Sequence, residues 1–311
     1  MRKLITVCAV VMFFGASYAR ANWITLSVPV EWGSNTFAGG ISGSNIIGHY
    51  TSANGIQHGF LYNGGNYTTL DKSGATWTSP NGISVNNIVG SYSENGIQHG
   101  FLYNGGNYTT LDKSGATWTN PTGINDNNIV GSYSSSSQTY GFLYNSVTEV
   151  WKPINKTGEQ VTNPLSISGN NIVGNYYKED NIQHGFLYNS VTEVWTTINA
   201  SDYVSGVLNN TDTFVTGING NNIVGCYITP DDIQHGFLYD ITDPNSWTTV
   251  NVGALVTYPT GIDGSDIVGY YMSSPGQGFL YTIPEPGTIM MLVGAGLFLF
   301  FGALRRCWFK K

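Results

Sequence analysis

The sequence predicts an all-β fold: a six-bladed β-propeller of four-stranded antiparallel blades, closed by the N-terminal strand and flanked by a signal peptide and a C-terminal transmembrane helix. Three observations carry this expectation. The 25 residues Asn54–Thr78 recur letter for letter at Asn95–Thr119, 41 positions further on. Looser copies of one pattern, G-I-x-x-x-N-I-V-G-x-Y followed by a turn and H-G-F-L-Y, place Phe60, Phe101, Phe142, Phe186, Phe237 and Phe279 at spacings of 41, 41, 44, 51 and 42. The last copy stops after its third strand, and the start of the body supplies what it lacks. A period of this size points to a propeller or a solenoid.

Residues 1–21 read MRKLITVCAVVMFFGASYARA. Arg2 and Lys3 are basic, Leu4 to Gly15 is a short apolar run, and Ala19 and Ala21 are the small residues a signal peptidase reads. They form a secretory signal peptide cut before Asn22. The apolar run is too short to span a bilayer comfortably.

The body, residues 22–282, is expected to be the propeller. In its first unit Thr36–Ile41 reads as a strand, turned by Ser42, Gly43 and Ser44, and Asn45–Tyr50 as a second. Asn54-Gly55 is a strong hairpin signal in the next connection. His58–Tyr62 is the third strand, Gly64-Gly65 its turn, and Tyr67–Leu70 the fourth. Four short strands in about 42 residues match one propeller blade. Phe60 and Tyr62 point to one face and Leu61 to the other, and Ile88 and Val89 split likewise. Such a sheet must be covered on both faces, which stacked blades provide. Gly48 and Gly59, with equivalents in the other units, allow close approach where strands crowd.

The phase of the repeats argues for a closed ring. The sixth unit ends at Tyr281, without a fourth strand, while Asn22-Trp23-Ile24-Thr25-Leu26 aligns with Asn66-Tyr67-Thr68-Thr69-Leu70. Borrowing that strand completes the blade and hides two sheet edges.

Residues 283–311 differ in kind. Thr288–Leu304 carries no charge, and about 17 apolar residues is the lower limit for a spanning helix. Arg305, Arg306, Lys310 and Lys311 form a basic tail, placed in the cytoplasm by the positive-inside rule. Pro284, Glu285 and Pro286 precede the helix as an extended segment, since proline forbids helix there. These three parts, in this order, closely resemble the PEP-CTERM sorting signal. The resemblance implies recognition of Pro284, Glu285 and Pro286 by an exosortase, a membrane-embedded cysteine protease. It also implies export by a Gram-negative bacterium, transient anchoring in the inner membrane, and release or transfer to the cell surface or beyond. The alternative is an ordinary anchor that stays uncut. The body itself resembles the extracellular HAF repeat family, with Gly replacing Ala in His99-Gly100-Phe101; that family is named for its repeat and place, not for a chemistry.

Composition excludes several functions. Residues 22–283 hold five lysines, no arginine and eighteen acids, a net charge of −13. Nucleic-acid binding needs clustered Lys and Arg and is ruled out. Cys8 and Cys307 lie in the end segments, so Cys226 stands alone in the body and no internal disulfide can form.

No catalytic set, cofactor site or metal site emerges. His58, His99, His184 and His235 share one repeat position, but Tyr140 and Gln277 occupy it in the other units. These types share hydrogen bonding rather than metal affinity, so the position reads as structural. His49 has no counterpart and no motif. Asp71–Trp77 resembles the Asp box of sialidase-type propellers, with one extra residue between Asp and Gly. A sialidase also needs an arginine cluster, which the body lacks. Glu94, Glu149, Glu179, Asp180, Asp231 and Asp232 fall mostly in loops and form no motif pair of the kind glycosidases use. The Asp231-Asp232 and Glu179-Asp180 pairs lack the spacing of a calcium loop. Trp77, Trp118 and Trp195 remain as candidate ligand-binding aromatics, with blade packing as the alternative role for each. The expectation is a non-catalytic surface or extracellular-matrix protein that binds exopolysaccharide or another matrix component. The alternatives are a purely structural surface protein and, further off, a propeller hydrolase or lyase.

Overall fold

The computed structural model describes residues 22–159, 161–178, 182–207, 211–229, 231, 233–252 and 256–283. The signal peptide, Pro284, Glu285, Pro286, the helix over 288–304 and the basic tail lie outside the described residues, as do Glu179, Asp180 and Asp232. Among the described residues, no helix is long and apolar enough to cross a membrane.

The body forms six four-stranded antiparallel sheets, as the repeat predicts. The first blade holds β2 (Ser34–Ser42), β3 (Asn45–Thr51), β4 (Gln57–Asn63) and β5 (Asn66–Thr69). The second holds β6 (Trp77–Ser84), β7 (Asn87–Glu94), β8 (Ile97–Asn104) and β9 (Asn107–Thr110). The third holds β10 (Trp118–Asn125), β11 (Asn128–Ser135), β12 (Gln138–Asn145) and β13 (Val150–Pro153). The fourth holds β14 (Val161–Ser168), β15 (Asn171–Tyr177), β16 (Gln183–Asn189) and β17 (Trp195–Ile198). The fifth holds β18 (Thr213–Asn219), β19 (Asn222–Ile228), β20 (Gln234–Asp240) and β21 (Thr248–Val250). The sixth has β22 (Thr257–Asp263), β23 (Asp266–Tyr271) and β24 (Gln277–Thr282), and its outer strand is β1 (Asn22–Leu26), paired beside β24. The ring is closed by the N-terminal strand.

One departure is a 3-10 turn at Ala200–Asp202, in a unit read as strand and turn only. It falls where the repeat is longest. There Ala200 is fully buried, and Tyr203 lies flat on Trp247, with ring centroids 5.0 Å apart and 8° between planes.

The core sits between blades. Ile47 and Leu61 of the first blade pack on Ile88, Phe101 and Tyr103 of the second. Val89 and Leu102 repeat that contact against Ile129 and Phe142 of the third. The same layer recurs around the ring and ends with Val268 and Leu280 of the sixth blade against Ile46 and Tyr62 of the first. Thus Val and Leu of one blade meet Ile, Phe and Tyr of the next. Phe60, Phe101, Phe142, Phe237 and Phe279 each also cover a glycine: a Cβ on Gly90 would overlap the Ser79 carbonyl oxygen and lie 2.9 Å from the Phe101 ring.

A ring of hydrogen bonds staples the hairpin turns at every blade junction. Ser42 Oγ accepts from the Val85 N–H (3.0 Å), and Ser84 Oγ from Asp126 N–H (3.1 Å). Asn125 Oδ1 accepts from Gly169 N–H (2.7 Å), and Ser168 Oγ from Gly220 N–H (2.9 Å). Asn219 Oδ1 accepts from Gly264 N–H at 3.2 Å, and Asp263 Oδ2 from Gly43 N–H at 2.6 Å, which closes the circle. Each such bond contributes about 0.5–1.5 kcal/mol net.

The donor residue in each turn has positive φ, and in the second blade it is a valine, Val85, at φ 56°. A β-branched side chain is strained there, and Val85 is two-thirds exposed, so its methyls bury little. Val85→Gly is therefore expected to stabilise the protein by about 1 kcal/mol, with the Ser42 bond kept. A chemical denaturation midpoint that fell would contradict this.

Candidate functional site

The first strand of each blade carries a bulge that leaves one residue out of the pairing with the second strand: Gly39, Asn81, Thr122, Leu165, Thr216 and Thr260. A bulge re-aims side chains, and here it turns them to the axis of the ring. Two cavities, of about 810 Å³ and about 270 Å³, both reach these six residues, which form the waist of a central channel. Much of the waist is already hydrogen-bonded. Thr122, Thr216 and Thr260 each donate through Oγ1 to a carbonyl of the next blade (Pro164, Pro259 and Ala38), all at 2.8 Å. Asn81 Nδ2 donates to the Pro121 carbonyl at 2.9 Å.

The larger cavity has two kinds of wall. Blades six and one supply aromatic rings. Phe37 stacks on His49 (centroids 5.0 Å apart, 27° between planes) and meets Tyr270 edge-on at 5.0 Å, while Tyr270 stacks on Tyr258 at 4.6 Å. Blades two and three supply mainly neutral polar groups, among them Ser79, Ser91, Gln98 and Asn120. Among the described residues lining it there is no carboxylate, lysine or arginine. Flat rings beside amides and hydroxyls can hold a neutral hydroxylated molecule, the rings taking its C–H faces and the amides its hydroxyls. A cavity of this volume is within the range of small-molecule sites.

Burial holds the His49 imidazole down to about 4, from an ordinary value near 6.5. The unfolded chain therefore binds a proton below pH 6.5 that the folded chain refuses until about pH 4. Stability linked to His49 is fully present above pH 6.5 and falls as pH drops through this window. His49→Gln is expected to flatten that part of the stability profile, read as denaturation midpoints between pH 7 and 4. Parallel profiles for both proteins would count against it.

The repeat histidines lie elsewhere in each blade. His58 Nδ1 is 2.7 Å from Asp71 Oδ2, and His99 Nδ1 is 2.6 Å from Asp112 Oδ2. The other oxygens of these carboxylates accept the Gly59 and Gly100 N–H groups, each at 3.1 Å. His184 bonds Asn199 Oδ1 at 2.7 Å. His58, His99, His184 and His235 stack on Tyr50, Tyr92, Tyr176 and Tyr227 respectively. Among the described residues, no group of three His, Cys, Asp or Glu is placed to hold a metal ion. Cys226 is buried, and burial raises its thiol to about 12.

The structure separates the three tryptophans. Trp77, first in β6 and half-buried, lines the large cavity. Trp118 occupies the same place one blade on, outside that lining. Trp195 lies on an outer strand, packed on Tyr188 at 4.5 Å and Phe186 at 5.0 Å. Phe37, His49 and Tyr270 are cavity residues that the repeat pattern passed over. The signal for two of them is the x of G-x-Y, which reads His49, Ser91, Ser132, Asn175, Cys226 and Tyr270 around the ring. It varies inside an otherwise regular motif.

Comparison with known proteins agrees with this architecture. A PEP-CTERM protein-sorting motif matches residues 282–306, beginning at the last residue of β24. No curated protein matches the chain. Among solved structures, the β-propeller domain of the Trilobed protease from Pyrococcus furiosus is similar at 8% identity and a TM-score of 0.52, over 80% of this chain and 94% of that one. TolB from Acinetobacter baumannii is similar at 11% identity and a TM-score of 0.51, over 78% of this chain. This chain covers 65% of that TolB chain. At these identities the likeness shows the propeller fold alone. The sorting motif implies export, membrane anchoring before processing, and processing by an exosortase.

Proposed function

We propose that the exported propeller is a non-catalytic surface or extracellular-matrix protein that binds exopolysaccharide or another matrix component. The observation that carries this reading is the large channel cavity, lined by aromatic rings, amides and hydroxyls and by no charged side chain among the described residues. Glycosidase chemistry needs two facing carboxyl groups about 5–10 Å apart, and this lining offers none. The acidic body favours solubility and disfavours binding to anionic polymers.

Two experiments test the proposal. The recombinant domain, residues 22–283, should be retarded in native gels containing the producer's own purified exopolysaccharide, and unretarded migration at high polymer would count against binding. The intact mass of the mature protein in cells with and without the exosortase should differ by the tail that follows a cut near Pro284, Glu285 and Pro286. An unchanged mass including the tail would make the C-terminus a permanent anchor.

A further inference from the structure

We infer that the large cavity receives the end of a neutral saccharide chain, its terminal sugar rings, rather than a stretch of chain lying across the molecule. This rests on the polysaccharide reading above and adds which part of the polymer is read and where. The cavity ends at the waist. There the hydroxyls of Thr122, Thr216 and Thr260 are turned aside to carbonyls of neighbouring blades at 2.8 Å, and Leu165 adds an apolar side chain. The small cavity is bounded by the same six residues on the other side, and in this inference a polymer entering the mouth stops against them rather than threading the ring. The walls suit one orientation of guest. Tyr270, stacked on Tyr258 and met edge-on by Phe37, belongs to an aromatic wall on one side, and Asn120 and Gln98 present amides on the other. A sugar ring has this duality, with C–H faces and a hydroxyl rim.

Charge narrows the class further. A uronate or phosphorylated terminus would lose water in the cavity and find no cation among the described lining residues, an uncompensated desolvation. A neutral hexose terminus leaves no charge unpaired, and its hydroxyls can pair with neutral amide groups.

The test uses the producer's exopolysaccharide, intact and after partial hydrolysis to graded lengths, titrated into residues 22–283. Binding sites per gram of polymer are expected to rise in proportion to chain ends. Tyr270→Ala and Gln98→Trp, one removing a wall and one narrowing the mouth, are each expected to weaken binding about tenfold, the scale of a single packed anchor. Val194→Ala, exposed on the outer rim, should leave affinity unchanged. Sites per gram independent of chain length, with both mouth variants silent, would overturn end-on recognition while polysaccharide binding stands. Tighter binding of fragments ending in uronate would overturn the neutral class. Absence of binding to every preparation would remove this inference together with the function it rests on.

Discussion

Deleting residues 22–26 from the 22–283 domain is expected to cost the protein most of its stability as a monomer. β1 is the outer strand of the sixth blade, and Leu26, 1% exposed, packs on Ala38, Ile41, Ile46 and Val268 across the closing junction. Truncating one such leucine costs about 2–5 kcal/mol, and each lost strand hydrogen bond about 0.5–1.5 more. The total approaches the 5–15 kcal/mol that holds a typical domain together. The deletion also bares the edge of β24, which then seeks another strand. The truncated domain should unfold at much lower denaturant or run as oligomers, and a peptide of residues 22–27 should restore the monomer. A truncated monomer of unchanged midpoint would show that β1 does not close the ring.

Gly90→Ala is expected to be nearly as damaging, although it adds one methyl. Its Cβ would overlap a backbone carbonyl, which cannot rotate away, and would press on Phe101, itself 1% exposed between two blades. Overpacking of this kind costs about 3 kcal/mol or more. Gly39→Ala is the useful contrast, because its nearest neighbour, the Pro80 carbonyl oxygen, lies 3.2 Å from the new Cβ and the site borders the open channel. Denaturation midpoints should separate the two by about 2 kcal/mol or more. Equal effects would mean that the phenylalanine–glycine contact does not set the blade geometry.

Most of the fold is legible in the sequence because each blade repeats the same solution. The strands expected at Thr36–Ile41, Asn45–Tyr50, His58–Tyr62 and Tyr67–Leu70 form within two residues of those limits, at Ser34–Ser42, Asn45–Thr51, Gln57–Asn63 and Asn66–Thr69. The closing strand follows from the phase of the repeat. The staple ring leaves a faint trace, since the residue after the Gly-Ile or Ser-Ile near the end of each blade's first strand is Ser42, Ser84, Asn125, Ser168, Asn219 or Asp263, always a short acceptor. Nothing local says that this acceptor reaches a neighbouring turn some 40 to 50 residues away.

The candidate site is harder to see for a related reason. In a propeller most aromatic bulk goes into blade contacts, so tryptophan content alone does not locate a cavity. Trp195 packs on Phe186 and Tyr188, and only Trp77 of the three candidates reaches the channel. Phe37 and Tyr270 look in sequence like ordinary alternating strand residues. Their shared exposure to the channel depends on the pairing of Phe37 with His49 and of Tyr258 with Tyr270, and on the sixth blade lying beside the first. That adjacency joins residues more than 200 positions apart. Repetition encodes the scaffold, and the departures from it, His49 and Tyr270 where other blades carry Ser91 or Ser132, mark the cavity.

The central claim is binding without turnover, and calorimetric titration of residues 22–283 with the producer's exopolysaccharide, with reducing ends assayed in the same samples, tests it most directly. The account predicts saturable heat and no new reducing ends over hours. Steady release of reducing ends would make the protein a hydrolase, and no heat at high polymer concentration would leave the channel without its proposed ligand.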